Sequence, residues 1–150
     1  MKMIIAAAFA VLMTSALQAA PARPAVEHFG KPALSGQPLP FSDAVRVGDI
    51  LYLSGQIGIG ADGKLPDGIE AQTKQAMDNI GAILKRAGRG YSDVYHCTAL
   101  LADMKDWPAF NRVYVPYFPA GKMPARSAFG ANGLALGARL EIECQAYAGK

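Results

Sequence analysis

The alternation of apolar and polar residues predicts a chain that combines strands with helices. Two β-rich runs, residues 44–47 and 50–54, are separated only by Gly48-Asp49, which is typical of a tight hairpin. Between residues 69 and 87 the apolar positions fall on one stripe at helical spacing. We therefore expect a long amphipathic helix there, preceded by a glycine-rich surface loop.

Capping residues and prolines mark the ends of the predicted helices. Asp67, with Glu70 three residues later, predicts a capping box at the start of the long helix. A strand is expected over residues 94–101. A second helix should begin after Asp106, which would be its N-cap. Pro116 should bend or end this helix, because a proline disrupts the hydrogen bonding of a helix interior.

The last part of the chain predicts two more extended segments, residues 125–130 and 139–148. In the second segment apolar and polar positions alternate, as in a strand with two different faces. One face carries Leu140, Ile142, Cys144 and Ala146, and the other carries Glu141, Glu143, Gln145 and Tyr147. The order of elements predicts an α/β domain with two helices on one face of a mixed or mainly antiparallel sheet.

The composition agrees with one folded domain. Of 150 residues, 51% are hydrophobic and 18% are charged, so the chain can bury a core, and neither a disordered chain nor a coiled coil fits. Residues 38–150 are expected to form the domain, and the Pro-rich residues 20–37 an irregular lead to it.

The N-terminus has the layout of a secretory signal peptide. Lys2 precedes an apolar run over residues 3–13, which is too short to span a bilayer, and small residues follow at 16–20. We expect residues 1–19 to be removed, with cleavage after Ala22 as one alternative and an uncleaved anchor as another. The mature chain would then be periplasmic or secreted, free of the membrane.

Charge and metal-binding patterns exclude several classes of protein. Loss of Lys2 lowers the formal net charge from +3 to +2, which favours no nucleic-acid partner. With two cysteines, Cys97 and Cys144, and two histidines, His28 and His96, no zinc-binding spacing is present. We interpret the cysteines as small buried apolar residues in preference to a disulfide, although an exported protein could keep one.

Two short motifs match known nucleotide-binding and catalytic patterns only in part. Residues 58–63 match G-x-G-x-x-G, but the predicted helix begins too late to present its N-terminus to a pyrophosphate. Ser54 and Ser127 lack the frame of a hydrolase nucleophile. Neither motif therefore predicts a function.

The remaining candidate chemistry joins Arg126 to Glu141. An arginine binds a carboxylate through two parallel hydrogen bonds, and a glutamate on a nearby strand can hold a water or move a proton. The simpler alternative is an ion pair between strands, which is far commoner than an active site.

The sequence as a whole resembles the RidA (YjgF/YER057c/UK114) family of reactive intermediate deaminases. The resemblance covers about residues 38–148 in the family's order. It rests on Pro40-Phe41-Ser42-Asp43-Ala44-Val45, Leu53-Ser54-Gly55-Gln56-Ile57, Asn79-Ile80, Asn111-Arg112-Val113-Tyr114, Pro124-Ala125-Arg126-Ser127 and Leu140-Glu141-Ile142-Glu143.

The resemblance implies a chorismate-mutase-like fold that forms a homotrimer with ligand sites between subunits. It implies hydrolysis of enamines and imines such as 2-aminoacrylate to 2-keto acids and ammonia, with no cofactor and no metal. By position, Arg126 would bind the substrate carboxylate, and Glu141 would position the water and transfer protons. Phe41, Ser54, Gly55, Asn111 and Ala128 would line the cleft.

Two residues depart from the pattern that the resemblance implies. Deaminating relatives often carry a tyrosine where this chain has Phe41 and a cysteine where it has Ala128, so the cleft should be more apolar. An export signal would also require a source of imine outside the cytoplasm, such as an amino-acid oxidase. We therefore keep a second hypothesis, a non-catalytic module that binds small carboxylates or a protein partner in the same cleft.

Overall fold

A computed structural model describes residues 23–30, 33–34 and 36–149. The predicted signal peptide lies outside these residues. Within the described part of the chain, no helix combines the length and the apolar character that crossing a membrane would require.

The described residues form nine strands and two α-helices, with short 3-10 turns in several of the connections. The strands are β1 (Val26–Phe29), β2 (Ala33–Leu34), β3 (Gln37–Pro38), β4 (Ala44–Val47), β5 (Ile50–Leu53), β6 (Gln56–Ile57), β7 (Val94–Leu101), β8 (Ala125–Gly130) and β9 (Leu140–Tyr147). The helices are α1 (Gly68–Arg86) and α2 (Trp107–Tyr114). The hairpin, both helices and the later strands lie where the sequence predicts them.

Seven strands form one mixed sheet in the order β1-β4-β5-β9-β7-β8, with β6 also paired to β9. All neighbours are antiparallel except β7 and β8, which run parallel with α2 in the connection between them. Strands β2 and β3 form a separate small hairpin. The predicted fold class, a mixed sheet with two helices on one face, is confirmed.

The core lies between the helices and one face of the sheet. The apolar stripe of α1 is fully buried at Ala76, Met77, Ile80 and Leu84. The alternate β9 positions that the sequence assigned to an apolar face are buried against it: Leu140, Ile142, Cys144 and Ala146. The apolar stripe of the helix and the apolar face of the strand therefore pack together in one continuous core.

The opposite face of the sheet is not covered by any described element. It exposes aromatic side chains on three strands, including Tyr52, Phe129 and Tyr147, the last two about half exposed at 55% and 48%. Because sheet faces of this kind are normally buried, a surface with several exposed aromatic residues indicates a contact with another molecule.

Two local predictions are wrong. The lead was expected to be irregular, but Val26–Phe29 forms an edge strand paired with β4, since its backbone groups find partners there. The capping box is not formed either. Asp67 accepts no capping hydrogen bond, and Glu70 instead accepts hydrogen bonds from the Arg112 side chain at 3.1 and 2.8 Å.

Cys97 and Cys144 form a disulfide between β7 and β9, which corrects the interpretation of two free buried thiols. Both side chains are buried, as that interpretation required. The pairing depends on strand register, because Cys97 lies directly opposite Cys144 in the antiparallel ladder. Two residues that are 47 positions apart in sequence cannot be brought together from local patterns.

Removing this disulfide should lower the free energy of unfolding by about 4 kcal/mol, because the bond restricts a long loop of the unfolded chain. The test is chemical denaturation of wild type and of a Cys97→Ala/Cys144→Ala variant at one chain concentration. A reductant should destabilise wild type and leave the variant unaffected. An unchanged wild-type midpoint under reducing conditions would contradict the assignment.

Candidate active site

Arg126 lies on the edge strand β8 and turns its side chain toward α2. The centre of its guanidinium is 4.8 Å from the ring centroid of Trp107, 5.2 Å from that of Phe110 and 4.6 Å from that of Tyr114. These distances are typical of cation–π contacts. Among the described residues no carboxylate forms an ion pair with Arg126, so its charge is available to an anionic ligand.

The aromatic residues that surround Arg126 are themselves fixed by the core. Phe110 and Tyr114 are fully buried one turn apart on α2, with ring centroids 5.2 Å apart. Because these rings pack against the flat face of the guanidinium, they fix its orientation. The N–H groups at its edge are left for other partners.

Burial raises the pKa of Tyr114 to about 12, and the positive charge of Arg126 opposes this increase. The Tyr114 hydroxyl lies near the guanidinium without a partner in hydrogen-bond geometry among the described residues. The side-chain carbonyl oxygen of Asn111, on the same helix, is also buried without a partner in that part of the chain. Unpartnered buried polar atoms carry a desolvation cost and are therefore candidates for ligand contact.

Glu141 lies on β9 and packs against Gly55. A Cβ atom on Gly55 would overlap the Glu141 carboxylate, so only glycine leaves room for the side chain in this position. Glu141 is partly buried and forms no ion pair among the described residues.

Ser54 precedes Gly55 in the chain and is hydrogen-bonded to the segment that follows Phe41. The Ser54 hydroxyl donates to the Ser42 carbonyl at 2.7 Å, and the Ser54 amide donates to Asp43 at 2.9 Å, which fixes the strand end beside Gly55. Phe41, next to Ser42 in the chain, is about half exposed. We call Phe41, Ser54, Gly55 and Glu141 the glutamate cluster.

The other predicted site residues gather around Arg126. Ala128 is two residues further along β8 and therefore projects from the same face, and Asn111 precedes Tyr114 by one turn on α2. We call Asn111, Arg126 and Ala128 the arginine cluster.

The two clusters lie on opposite faces of the sheet. Arg126 lies opposite Cys97 in the pairing of β8 with β7, and Cys97 lies opposite Cys144 in the pairing of β7 with β9. The side chains of all three residues therefore project toward the helices. Glu141 is three residues from Cys144 on β9 and projects from the other face. The structure therefore contains no Arg126–Glu141 ion pair, and the roles predicted for both residues stay predictions.

Sequence reasoning did not assign the aromatic residues around Arg126 to the site. The sequence predicts a helix here but assigns Trp107, Phe110 and Tyr114 no role in the site. The apolar spacing of the helix was visible in the sequence. The sequence does not show which face of β8 packs against this helix, because polar and apolar residues alternate too weakly along β8 to indicate its buried side.

The fold and the two clusters define a small α/β protein of the YjgF/RidA type. The sequence profile of the family described as Endoribonuclease L-PSP matches residues 35–148, and the chain belongs to this family. The family expected from the sequence motifs is thereby confirmed.

Three relatives illustrate the similarity. A 2-iminobutanoate/2-iminopropanoate deaminase of Mus musculus is 44% identical over 112 residues, covering 73% of this chain and 82% of the relative. The crystal structure of RidA from the Antarctic bacterium Psychrobacter sp. has a TM-score of 0.71 at 36% identity, covering 78% and 93% of the two chains. That of E. coli TdcF with bound serine has a TM-score of 0.73 at 27% identity, covering 81% and 98%.

The raised pKa of Tyr114 should make the protein less stable as the pH rises from about 10 to about 12. In this range the tyrosine ionises in the unfolded chain but stays neutral in the folded one, so ionisation favours unfolding. The test is denaturation across this pH range. A Tyr114→Phe variant should lose less stability than wild type, and equal losses would contradict the assignment.

Proposed function

We propose that this protein hydrolyses 2-imino acids and their enamine forms, such as 2-aminoacrylate, to 2-keto acids and ammonia. The observation that carries the proposal is the Arg126 guanidinium, held by aromatic rings with no carboxylate partner among the described residues. Such a group suits a substrate carboxylate. The similarity to the mouse protein, a 2-iminobutanoate/2-iminopropanoate deaminase, supports the same chemistry.

The reaction needs only positioning and proton transfer. A water oxygen adds to the carbon of the C=N bond while Glu141 accepts one proton from the water and transfers it to the nitrogen. The resulting carbinolamine forms a C=O bond and releases ammonia, so the net reaction consumes one water. General acid–base catalysis of this kind contributes roughly 10²- to 10⁴-fold, which is sufficient for an already electrophilic imine.

The proposal includes a homotrimer in which the site lies between chains. Arg126 and Glu141 project from opposite faces of one sheet, so they can act on one substrate if neighbouring chains contribute one each. The exposed aromatic face of the sheet supports assembly, because a closed oligomer would bury it.

The proposed location is outside the cytoplasm, after removal of residues 1–19. The substrate would then come from oxidation of amino acids or amines in that compartment. The small positive charge of the mature chain does not favour RNA as a substrate, although the family's description names an endoribonuclease. A non-catalytic carboxylate-binding module is the alternative outcome, since Phe41 and Ala128 offer no titratable group.

Replacing Arg126 should abolish most of the activity. We expect Arg126→Ala to lower kcat/KM by about 100-fold, mainly by raising KM, because a charged hydrogen-bond partner of the substrate is lost. Glu141→Gln should instead lower kcat by at least about 100-fold, because proton transfer is lost. The substrate is an imino acid generated by an amino-acid oxidase, and the measured quantity is imine decay above the uncatalysed rate.

Arg46→Ala is the matched control for the arginine variant. Arg46 is a partly exposed arginine on β4 that pairs with Glu27. It belongs to neither cluster and is separated from β8 by three strands, so its loss should leave kcat/KM unchanged. If Arg126→Ala behaves like this control, the role of Arg126 is wrong. If wild type binds a 2-keto acid but does not accelerate imine decay, the protein is the binding module.

Mixed trimers test the site between chains directly. Arg126→Ala and Glu141→Gln chains carrying two different tags are co-expressed and purified on both tags, so that every trimer contains both variants. In a cyclic trimer one of the three interfaces then has an intact Arg126 facing an intact Glu141. We expect about one third of wild-type activity, whereas each variant alone stays inactive. No recovery would place the two residues in separate sites.

A further inference from the structure

An open hollow adjoins Arg126 on the helix face of β8. It has a volume of about 600 Å³ and is lined by Met104, Lys105, Trp107, Pro108 and Ala128. Four of the five lining residues are apolar. Trp107 is shared with the surroundings of Arg126, since its ring also contacts the guanidinium.

Strand β8 contributes Ala128 to the lining of the hollow. Arg126, Ala128 and Gly130 project from one face of the strand in that order. Beyond Ala128, a Cβ atom on Gly130 would lie 3.3 Å from the Met104 side chain, so Met104 is held over the end of this row. Met104 is 44% exposed, so its side chain is accessible to a ligand in the hollow.

The spacing along β8 matches a substrate with a large side chain. Successive residues on one face of a strand are about 7 Å apart, so Ala128 is about that distance from Arg126 along the strand. Trp107 contacts the guanidinium and also lines the hollow, so an isobutyl or benzyl side chain of a substrate held by Arg126 can extend into the hollow toward Ala128. A methyl or methylene group would fill less of this apolar surface.

We infer that the hollow binds the substrate's side chain and that the preferred substrates are 2-imino acids with large apolar side chains, of leucine or phenylalanine size. The inference rests on the proposed function and on Arg126 as the carboxylate ligand. Lys105 at the edge of the hollow adds a positive charge, which disfavours cationic side chains. The reaction that supplies such substrates is the oxidation of the corresponding amino acids.

The test compares imines generated by an amino-acid oxidase from alanine, leucine and phenylalanine. We expect kcat/KM to be at least about tenfold higher for the leucine or phenylalanine imine than for the alanine imine, since each added methylene gains apolar contact. Met104→Glu should lower this ratio about tenfold by placing a charge over the hollow. The control is Met123→Glu, a methionine with a matched exposed fraction of 47% outside the hollow, which should leave the ratio unchanged.

Equal kcat/KM values for the three imines, or a ratio that Met104→Glu does not change, would overturn the inference. If no imine is hydrolysed faster than in buffer, the proposed function fails. Calorimetry with 2-keto acids then tests whether the hollow binds large apolar side chains. Phenylpyruvate binding at least about tenfold more tightly than pyruvate, with the difference lost in Met104→Glu, supports the assignment. Equal affinities, or no binding of phenylpyruvate, refute it.

Discussion

The pairing of β7 with β8 on one side and β9 on the other is the constraint on which the candidate site depends. Its register places Cys97 between Arg126 and Cys144, which sets the direction of every side chain in the three strands. Arg126 consequently faces α2, and Glu141 faces away from it. A slip of one residue between β7 and β8 would turn Arg126 and Ala128 to the other face of the sheet and remove the arginine cluster.

This arrangement connects the fold with the proposed assembly. The arginine cluster and the glutamate cluster cannot meet within one chain, because the sheet separates them. The face that carries Glu141 also exposes aromatic residues that a single chain leaves in water. Association of chains would bury this face and could bring the two clusters together, so stability and catalysis would depend on the same contact.

The surroundings of Arg126 show how a cation can be oriented without being neutralised. Trp107, Phe110 and Tyr114 contact the guanidinium through their ring faces, whereas a carboxylate would occupy its N–H groups. Keeping a partly buried charge without an ion pair costs stability. Such a cost is expected at a site whose missing partner is a ligand, and the small side chain of Ala128 borders the hollow that adjoins the cation.

The sequence by itself determined the hairpin at Gly48-Asp49, the long helix α1 and the two faces of β9, because each follows from local periodicity or turn chemistry. Its motifs also indicated the family and named Arg126 and Glu141. Only the tertiary structure decided the edge strand β1, the disulfide, the aromatic surroundings of Arg126 and the separation of the two clusters. These features depend on which strands pair and in what register, which is set by contacts between residues far apart in the chain.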